Sequence, residues 1–389
     1  MRDTIMKTIA VLGATGSVGT QALDVARARG YCVDLMSAHR NVRAAEALAR
    51  EFSPTFLCMT DEAAAADMRV RLADTSIEVL SGEAGLREGI ARSCAETVVH
   101  AILGAAGLSP TLATIDSGKR LALANKESLV IAGDIVMARA RAKGVDILPV
   151  DSEHCAIFQS LLSGKREQVR RLLLTASGGP FFGYSREQLA AVSAEDTLRH
   201  PTWQMGRKIT VDSATLMNKG FEILEAAHLF SVPATAIEVV VHRESILHSA
   251  VEYIDNTVIG EFSLPDMRMC VQYAVDYPDR CASHGEPLDL VRLGRMTFFA
   301  PDREAFPLLT LAERASTLGG GMGAVLNAAD EVAVDAFLHG HLTFLGIADC
   351  VQSAFEDCLP YRSAATLEER MEADRYARDR ARIYIESLG

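Results

Sequence analysis

The stretch that most limits what this chain can become is its first thirty or so residues. Thr8-Ile9-Ala10-Val11-Leu12 is an apolar run of strand length. Gly13-Ala14-Thr15-Gly16-Ser17-Val18-Gly19 follows, and Thr20 to Arg29 reads as a helix. Glycines at such a turn allow a tight reversal and a close backbone approach, and the helix N-terminus then faces an anion. The spacing is G-x-x-G-x-x-G, and the order strand, glycine turn, helix is that of the first unit of a dinucleotide-binding fold. A plain structural turn is the competing reading.

The following segments keep the alternation. Strands are predicted at Cys32–Ser37, Phe56–Met59, Ile77–Leu80, Thr97–Ile102, Arg120–Ala124 and Val145–Val150, with a helix running to about Lys143. Strands alternating with helices imply a largely parallel sheet covered on both faces. The second strand ends in Ala38-His39-Arg40-Asn41. An acid at this tip suits a bare ribose, whereas Arg40 suits a 2′-phosphate, so NADP is favoured over NAD. Asp34 lies mid-strand and is not the expected ribose ligand.

After Val150 comes Asp151-Ser152-Glu153-His154, and a helix is expected from Cys155 to Leu162. In an extended backbone residues i and i+2 share a face, so Asp151 and Glu153 would project together. Paired carboxylates invite a hard divalent cation. Solvated loop acids are the bland alternative. Further on, Leu172–Ala176 opens into Ser177-Gly178-Gly179, either an anion nest or a simple turn. His200-Pro201-Thr202-Trp203-Gln204-Met205-Gly206 holds the only tryptophan and reads as a lid or as an anchored loop. Ser213, Asn218 and Lys219 supply donors for a phosphate. Glu222 offers a third oxygen to a metal, with Glu225 on the same helix face supporting it. A solvated helix face would explain both acids equally. Strands are expected at Ile237–His242 and Ser249–Phe262, the latter turning at Asp255-Asn256-Thr257.

Composition narrows the classes. A chain of 389 residues exceeds one ordinary core, so about two or three domains are expected. The net charge of −12 argues against nucleic acid as a partner. The longest apolar stretches, such as Val98–Leu108, are too short for a membrane span, and the N-terminal run is strand length rather than a signal peptide. Eight scattered cysteines without a C-x-x-C pair fit reduced thiols in a cytoplasm. Cys155 reads as a packed helix residue.

Taken together the blocks GATGSVG (13–19), LANKESLV (123–130), PVDSEHCAIFQ (149–159), TASGGPF (175–181), HPTWQMGRKITVDSATLMNKGFE (200–222), PDMR (265–268) and LNAADEVAV (326–334) closely resemble the 1-deoxy-D-xylulose 5-phosphate reductoisomerase family. The resemblance implies an N-terminal Rossmann-type NADPH domain (1–150), a central α+β catalytic domain with a mobile flap (151–285), a linker (286–310) and a C-terminal helical domain (311–389). It implies Asp151, Glu153 and Glu222 as ligands of Mg²⁺, Mn²⁺ or Co²⁺. Ser152 and Lys219 would contact substrate hydroxyls. Ser177, Ser213, Asn218 and Lys219 would hold the phosphate of a small sugar. His200 to Met205 would be the flap, with Trp203 closing over the substrate and His200 beside it. Thr15, Gly16, Ser17 and Val18 would receive the NADPH pyrophosphate. His39, Arg40, Asn41, Asn125, Glu127 and Gly206 would also lie on the cofactor side, with Lys126 near the substrate. Asp151, Glu153, Glu222, Lys126, His200 and Lys219 are the implied catalytic set. A homodimer is implied as well. The chain departs from the family at His39 and Arg40, where many members carry glycine and lysine, at Asp330, where asparagine is common, and after PDMR, where a common proline is missing.

One rival is a semialdehyde dehydrogenase. It shares the G-A-T-G-x-V-G opening but needs a nucleophilic cysteine and no metal. Another is a non-catalytic NADP sensor, which would not need the three acids.

Overall fold

Short apolar runs recur through the first 150 residues, each shorter than a stable helix needs and several rich in β-branched residues. In the computed structural model, which describes residues 7–199, 206–283 and 285–388, they form β1 (Thr8–Leu12), β2 (Cys32–Ala38), β3 (Phe56–Met59), β4 (Glu78–Ser81), β5 (Thr97–His100), β6 (Arg120–Leu123) and β7 (Ile147–Pro149). They pair in the order β4-β3-β2-β1-β5-β6-β7, and every pairing is parallel. Parallel neighbours require crossovers, and the intervening helices bury the sheet on both faces. Ile9 to Leu12 are accordingly buried, as are Leu35, Phe56, Leu80, Leu86, Ile90 and Val98 in the core beside them. The strand order turns back between β1 and β5. That reversal opens a crevice at their C-terminal ends, the place where ligands of such sheets bind.

The chain divides into two compact units. The first comprises 1–125, 136–155 and 266–285, and the second 126–135, 156–265 and 286–389. Residues 266–285, expected with the catalytic segment, lie with the parallel sheet. There the helix Met267–Asp276 packs on the helix Ser17–Arg29 and beside β5, β6 and β7. Buried Asp276 accepts from the Tyr31 hydroxyl at 2.7 Å and pairs with Lys7 at 3.1 Å.

The second unit has a four-stranded sheet, with β8 (Val169–Ala176), β9 (Ile237–Val241), β10 (Leu247–Tyr253) and β11 (Val258–Phe262) in the order β11-β10-β8-β9. β8 and β9 run parallel; the other two pairings are antiparallel. The expected turn closes β10 and β11, with Asn256 left-handed at φ 67° and Asp255 accepting from the Thr257 amide. Helices Pro307–Leu318, Met322–Leu338, Phe344–Asp357 and Leu367–Glu386 pack together. Met322–Leu338 is almost entirely buried, which its run of alanine, valine and leucine dictates. Among the described residues no helix is long and apolar enough to cross a membrane.

Candidate active site

In the first unit the glycine turn is made by backbone. Gly13 is left-handed at φ +80°, and a Cβ on it would stand 2.7 Å from the Ala101 carbonyl oxygen. A Cβ on Gly19 would come within 2.1 Å of the Gly13 oxygen. No side chain fits at either position, so the helix starts hard against the tip of β1. It starts at Ser17, earlier than the expected Thr20, and Ser17, Val18 and Gly19 form its first turn. Gly16 is its N-cap and no side chain caps it. The first-turn amides therefore point outward with the positive end of the helix dipole behind them. Gly13 and Ala14 are pinned to Ser37 on β2 through its Oγ (3.1 Å) and its carbonyl (2.7 Å).

At the tip of β2 the three expected cofactor residues differ. Arg40 bonds Asp61 at 2.8 Å through Nε while its side chain stays 74% exposed. His39 Nδ1 lies 2.9 Å from the Thr60 hydroxyl, and Asn41 caps the helix Val42–Phe52. Asp34, which is not the expected ribose ligand, is buried. Burial alone would raise its carboxyl, but bonds from Ser93, Thr55 and the Cys94 amide outweigh that and hold it below the usual range. Asn125 is buried and donates to the Gly104 carbonyl at 3.0 Å, bracing the turn after β5. The sequence reading passed over His100, whose ring is buried against the Gly107 carbonyl at 2.8 Å. Burial pushes its pKa down to about 4, so it is neutral.

The acid turn also lies here. The expected strand ends at Pro149 and the helix begins at Ser152. Asp151 therefore sits at the junction and Glu153 in the first helical turn, not on one face of an extended strand. The Val150 amide still bonds Leu123, but the Cys155 amide bonds the Asp151 carbonyl at 2.8 Å, which is a helical bond. The two carboxylates nevertheless bring oxygens within 4.8 Å of one another. Ser152 donates to Glu153 at 2.6 Å, and buried His154 places Nδ1 3.7 Å from Asp151. Cys155 is buried in the helix as expected.

In the second unit the helix Met217–Leu229 follows Leu216, which takes a left-handed φ of 60°. That conformation costs a side-chain-bearing residue about 1–2 kcal/mol. It sets the direction in which Asn218, Lys219 and Glu222 leave the helix. These three stand at i, i+1 and i+4, so they share one face. Glu222 is 1% exposed. Its carboxylate accepts from Lys126 at 3.1 Å, from the Asn218 amide and from the Lys219 ammonium. Lys126 also bonds Asn218 at 2.9 Å. A carboxylate this buried needs such partners, and the solvated-face reading of Glu222 and Glu225 is excluded by their burial.

The Ser177-Gly178-Gly179 turn belongs to the same unit. Both glycines are left-handed, and a Cβ on Gly179 would meet the Ser213 oxygen at 2.7 Å. The turn is thus pressed onto the last turn of the helix Arg207–Ala214, which carries Ser213. Arg243 clamps it, donating to the Ser177 and Gly179 carbonyls at 2.8 and 2.6 Å. The sequence reading did not single out Arg243 or His248. An arginine beyond a strand end carries no local signal. His248 is buried, and burial pushes its pKa to about 4. Gly206 is exposed and caps Arg207–Ala214. His200 and Trp203, with the rest of the expected flap at 200–205, lie outside the described residues. Burial pushes the Cys58, Cys350 and Cys358 thiols up to about 12, the reverse of what a nucleophile needs.

The comparisons with known proteins cover nearly the whole chain. A family model described as 1-deoxy-D-xylulose 5-phosphate reductoisomerase matches residues 9–133, the C-terminal domain model of the same enzyme matches 147–230, and a DXP reductoisomerase C-terminal domain model matches 262–380. The 1-deoxy-D-xylulose 5-phosphate reductoisomerase of Symbiobacterium thermophilum is 50% identical over 97% of this chain and 98% of its own length. The same enzyme from Zymomonas mobilis, solved in complex with NADPH, is 41% identical with a TM-score of 0.91, over 98% of this chain and all of that one. A reductoisomerase solved with NADPH, fosmidomycin and magnesium is 38% identical with a TM-score of 0.93, over 98% of this chain and 99% of that one. The chain belongs to the 1-deoxy-D-xylulose 5-phosphate reductoisomerase family.

Proposed function

We propose that this chain catalyses the NADPH- and divalent-metal-dependent conversion of 1-deoxy-D-xylulose 5-phosphate to 2-C-methyl-D-erythritol 4-phosphate, a step toward isoprenoid precursors. The observation that carries the reading is the buried meeting of Lys126, Asn218, Lys219 and Glu222, four residues from two separate family motifs. Their chemistry fits an anionic, hydroxyl-rich substrate and a cation ligand.

Asp151, Glu153 and Glu222 would hold the divalent ion. The fit is supported by the close oxygens of Asp151 and Glu153 and by the all-carboxylate donor set, which suits Mg²⁺, Mn²⁺ or Co²⁺. When bound, such an ion supplies Lewis acidity at carbonyl and hydroxyl oxygens. NADPH supplies the hydride, its pyrophosphate held by Thr15, Gly16, Ser17 and Val18, where the Gly13 and Gly19 cradle leaves the amides open. Arg40 presents a cation for the 2′-phosphate. His39, Asn41, Asn125, Glu127 and Gly206 line the cofactor's side.

Ser152 and Lys219 orient the substrate hydroxyls, and Lys126 stands beside them. Ser177, Ser213 and Asn218, again with Lys219, bind the phosphate. The phosphate is remote from the reacting carbons, so its binding energy orients the chain and draws the flap, Trp203 and His200, over the site. The α-hydroxy ketone rearranges to a branched aldehyde, by retro-aldol and aldol steps or by a direct shift. That aldehyde takes the hydride and a proton. Segments 1–150, 151–265 and 311–389 serve as the cofactor, catalytic and helical parts, with 266–285 belonging to the cofactor part and 286–310 joining the last. We assign a homodimer in the cytoplasm.

The test is NADPH oxidation on adding deoxyxylulose phosphate, with and without EDTA. Turnover that EDTA abolishes and thiol alkylation spares supports the reading; the reverse pattern supports the cysteine-dependent rival. Glu153→Gln is expected to leave NADPH binding nearly intact and to lower turnover about a hundredfold or more. Full activity of that variant at saturating Mg²⁺ would reject the ligand assignment.

A further inference from the structure

The helix Arg207–Ala214 carries Ser213 at its C-terminal end, and its inner face ends in an ionic cluster that the steps above do not use. Lys208 Nζ lies 2.7 Å from Asp212 Oδ2 one turn along, and 2.7 Å from Asp330 Oδ2 on the helix Met322–Leu338. It also sits over the Phe221 ring, 4.8 Å from its centre. Asp212 is 3% exposed and Asp330 is 0%, while the lysine side chain keeps 30% of its surface. Asp212 Oδ1 and both Asp330 oxygens accept no hydrogen bond from any described donor, Lys208 meeting Asp330 Oδ2 as an ion pair only.

The charges do not balance if both acids are ionised. Two buried carboxylates face one ammonium. Glu127 adds a further negative charge, and so does Glu331. The Glu331 charge is taken up by Arg378, which holds it at 2.6 Å and holds Asp374 at 2.8 Å. Cys350, on Phe344–Asp357, is the other titratable group facing Asp330, and its thiol is pushed up and neutral. Like charges this close and this dry do not both ionise, and the bare Oδ1 atoms of the two acids are a donor short of satisfied. One proton between the acids meets both demands.

We propose that Asp212 and Asp330 hold one proton between them beside Lys208, and that this protonated pair seats the Ser213 helix on Met322–Leu338 for the substrate's phosphate. The proposal rests on the function assigned above. Both acids are positioning residues; neither touches substrate. Burial, then the neighbouring Asp330 charge, raises Asp212 well above the usual carboxylate range, and burial raises Asp330. A group raised on folding stabilises below its unfolded pKa and loses that contribution as the pH rises through its folded one. Loss of the proton to solvent leaves two facing carboxylates, the helix loosens, and the phosphate grip at Ser213 weakens.

The test compares the wild type with Asp330→Asn, whose amide keeps the shape, donates to Asp212 and has no proton to lose. KM for deoxyxylulose phosphate and kcat are measured from about pH 6 to about pH 9. Relative to the variant, whose profile carries only the ionisation of the substrate's own phosphate, wild-type KM is expected to rise about fivefold or more across that range, with kcat changing less. Parallel KM profiles would overturn the proposal. Should neither protein turn over, the assigned function fails. The pair is then read from thermal unfolding of both proteins over the same range. A gap in midpoint that widens with pH supports the shared proton, and a constant gap contradicts it. If Asp330→Asn does not fold, Asp212→Asn removes the same proton from the other side and is read the same way.

Discussion

The glycine turn of the first unit and the Glu222 cluster of the second both look like ligand sites, yet they are built from different material. The turn is backbone: Gly13 and Gly19 exclude side chains so that amides can approach a guest. The cluster is side chain: Lys126, Asn218, Lys219 and Glu222 satisfy one another, while Arg243 and Gly179 hold the Ser-Gly-Gly turn against the helix that carries Ser213. A backbone site tolerates changes that keep the glycines. A side-chain site fails when any one partner leaves a buried charge alone.

The largest expected effect sits in the cluster. Lys219→Ala strips one ammonium from a carboxylate that is 1% exposed. Leaving a buried charge short of its partner costs about 3–5 kcal/mol. Activity, kcat/KM, is expected to fall about a thousandfold with NADPH affinity nearly unchanged. An equal loss of cofactor affinity would erase the distinction between the two sites.

Gly19→Ala is next and tests the backbone site. Its Cβ must displace the Gly13 carbonyl, so β1 and the helix part. Overpacking of this kind costs about 1–3 kcal/mol. KM for NADPH is expected to rise about tenfold or more while deoxyxylulose phosphate binding holds. Isothermal titration with each ligand separates the two.

Arg40→Gln is a smaller change. Its side chain is exposed and already tied to Asp61, so its contribution is discounted for solvent. The preference for NADPH over NADH is expected to drop about three- to tenfold, read from the ratio of kcat/KM values. An unchanged ratio would assign the 2′-phosphate to another residue.

The change expected to touch activity least, a pH dependence of stability, is shared by both regions. His100 in one unit and His248 in the other are pushed by burial from an ordinary 6.5 to about 4. Both are neutral when folded, so the unfolded chain binds more protons between those values. The stability they contribute is present above pH 6.5 and is lost as the pH falls toward 4. The unfolding midpoint should therefore drop in that window, and His100→Gln should make the drop shallower. A midpoint flat from pH 6.5 to 4 in the wild type would show that these rings stay accessible to protons.

What the sequence made legible follows the same division. The parallel sheet, the glycine turn and the Arg40 tip are local patterns, and a run such as Thr8–Leu12 states its own structure. Lys126, Asn218, Lys219 and Glu222 stood out in the sequence as polar motifs, but their meeting did not, since it depends on tertiary packing. Glu153 was misplaced because the strand pattern of Val145–Val150 carries no signal for where the helix begins; the helix takes up Ser152 onward. Residues 266–285 were placed by neighbourhood in sequence, whereas Asp276 is held by Tyr31 and Lys7. Arg243, His100 and His248 act through backbone carbonyls, which leave no mark on composition. Asp330 drew notice only as a departure, and its partner Lys208 lies on a different helix.

The central proposal is that Asp151, Glu153 and Glu222 hold one divalent ion. Crystals grown with manganese and measured for anomalous scattering test it most directly. The account predicts one strong peak bounded by oxygens of those three side chains. A peak elsewhere, or three carboxylates turned away from the ion, would contradict it.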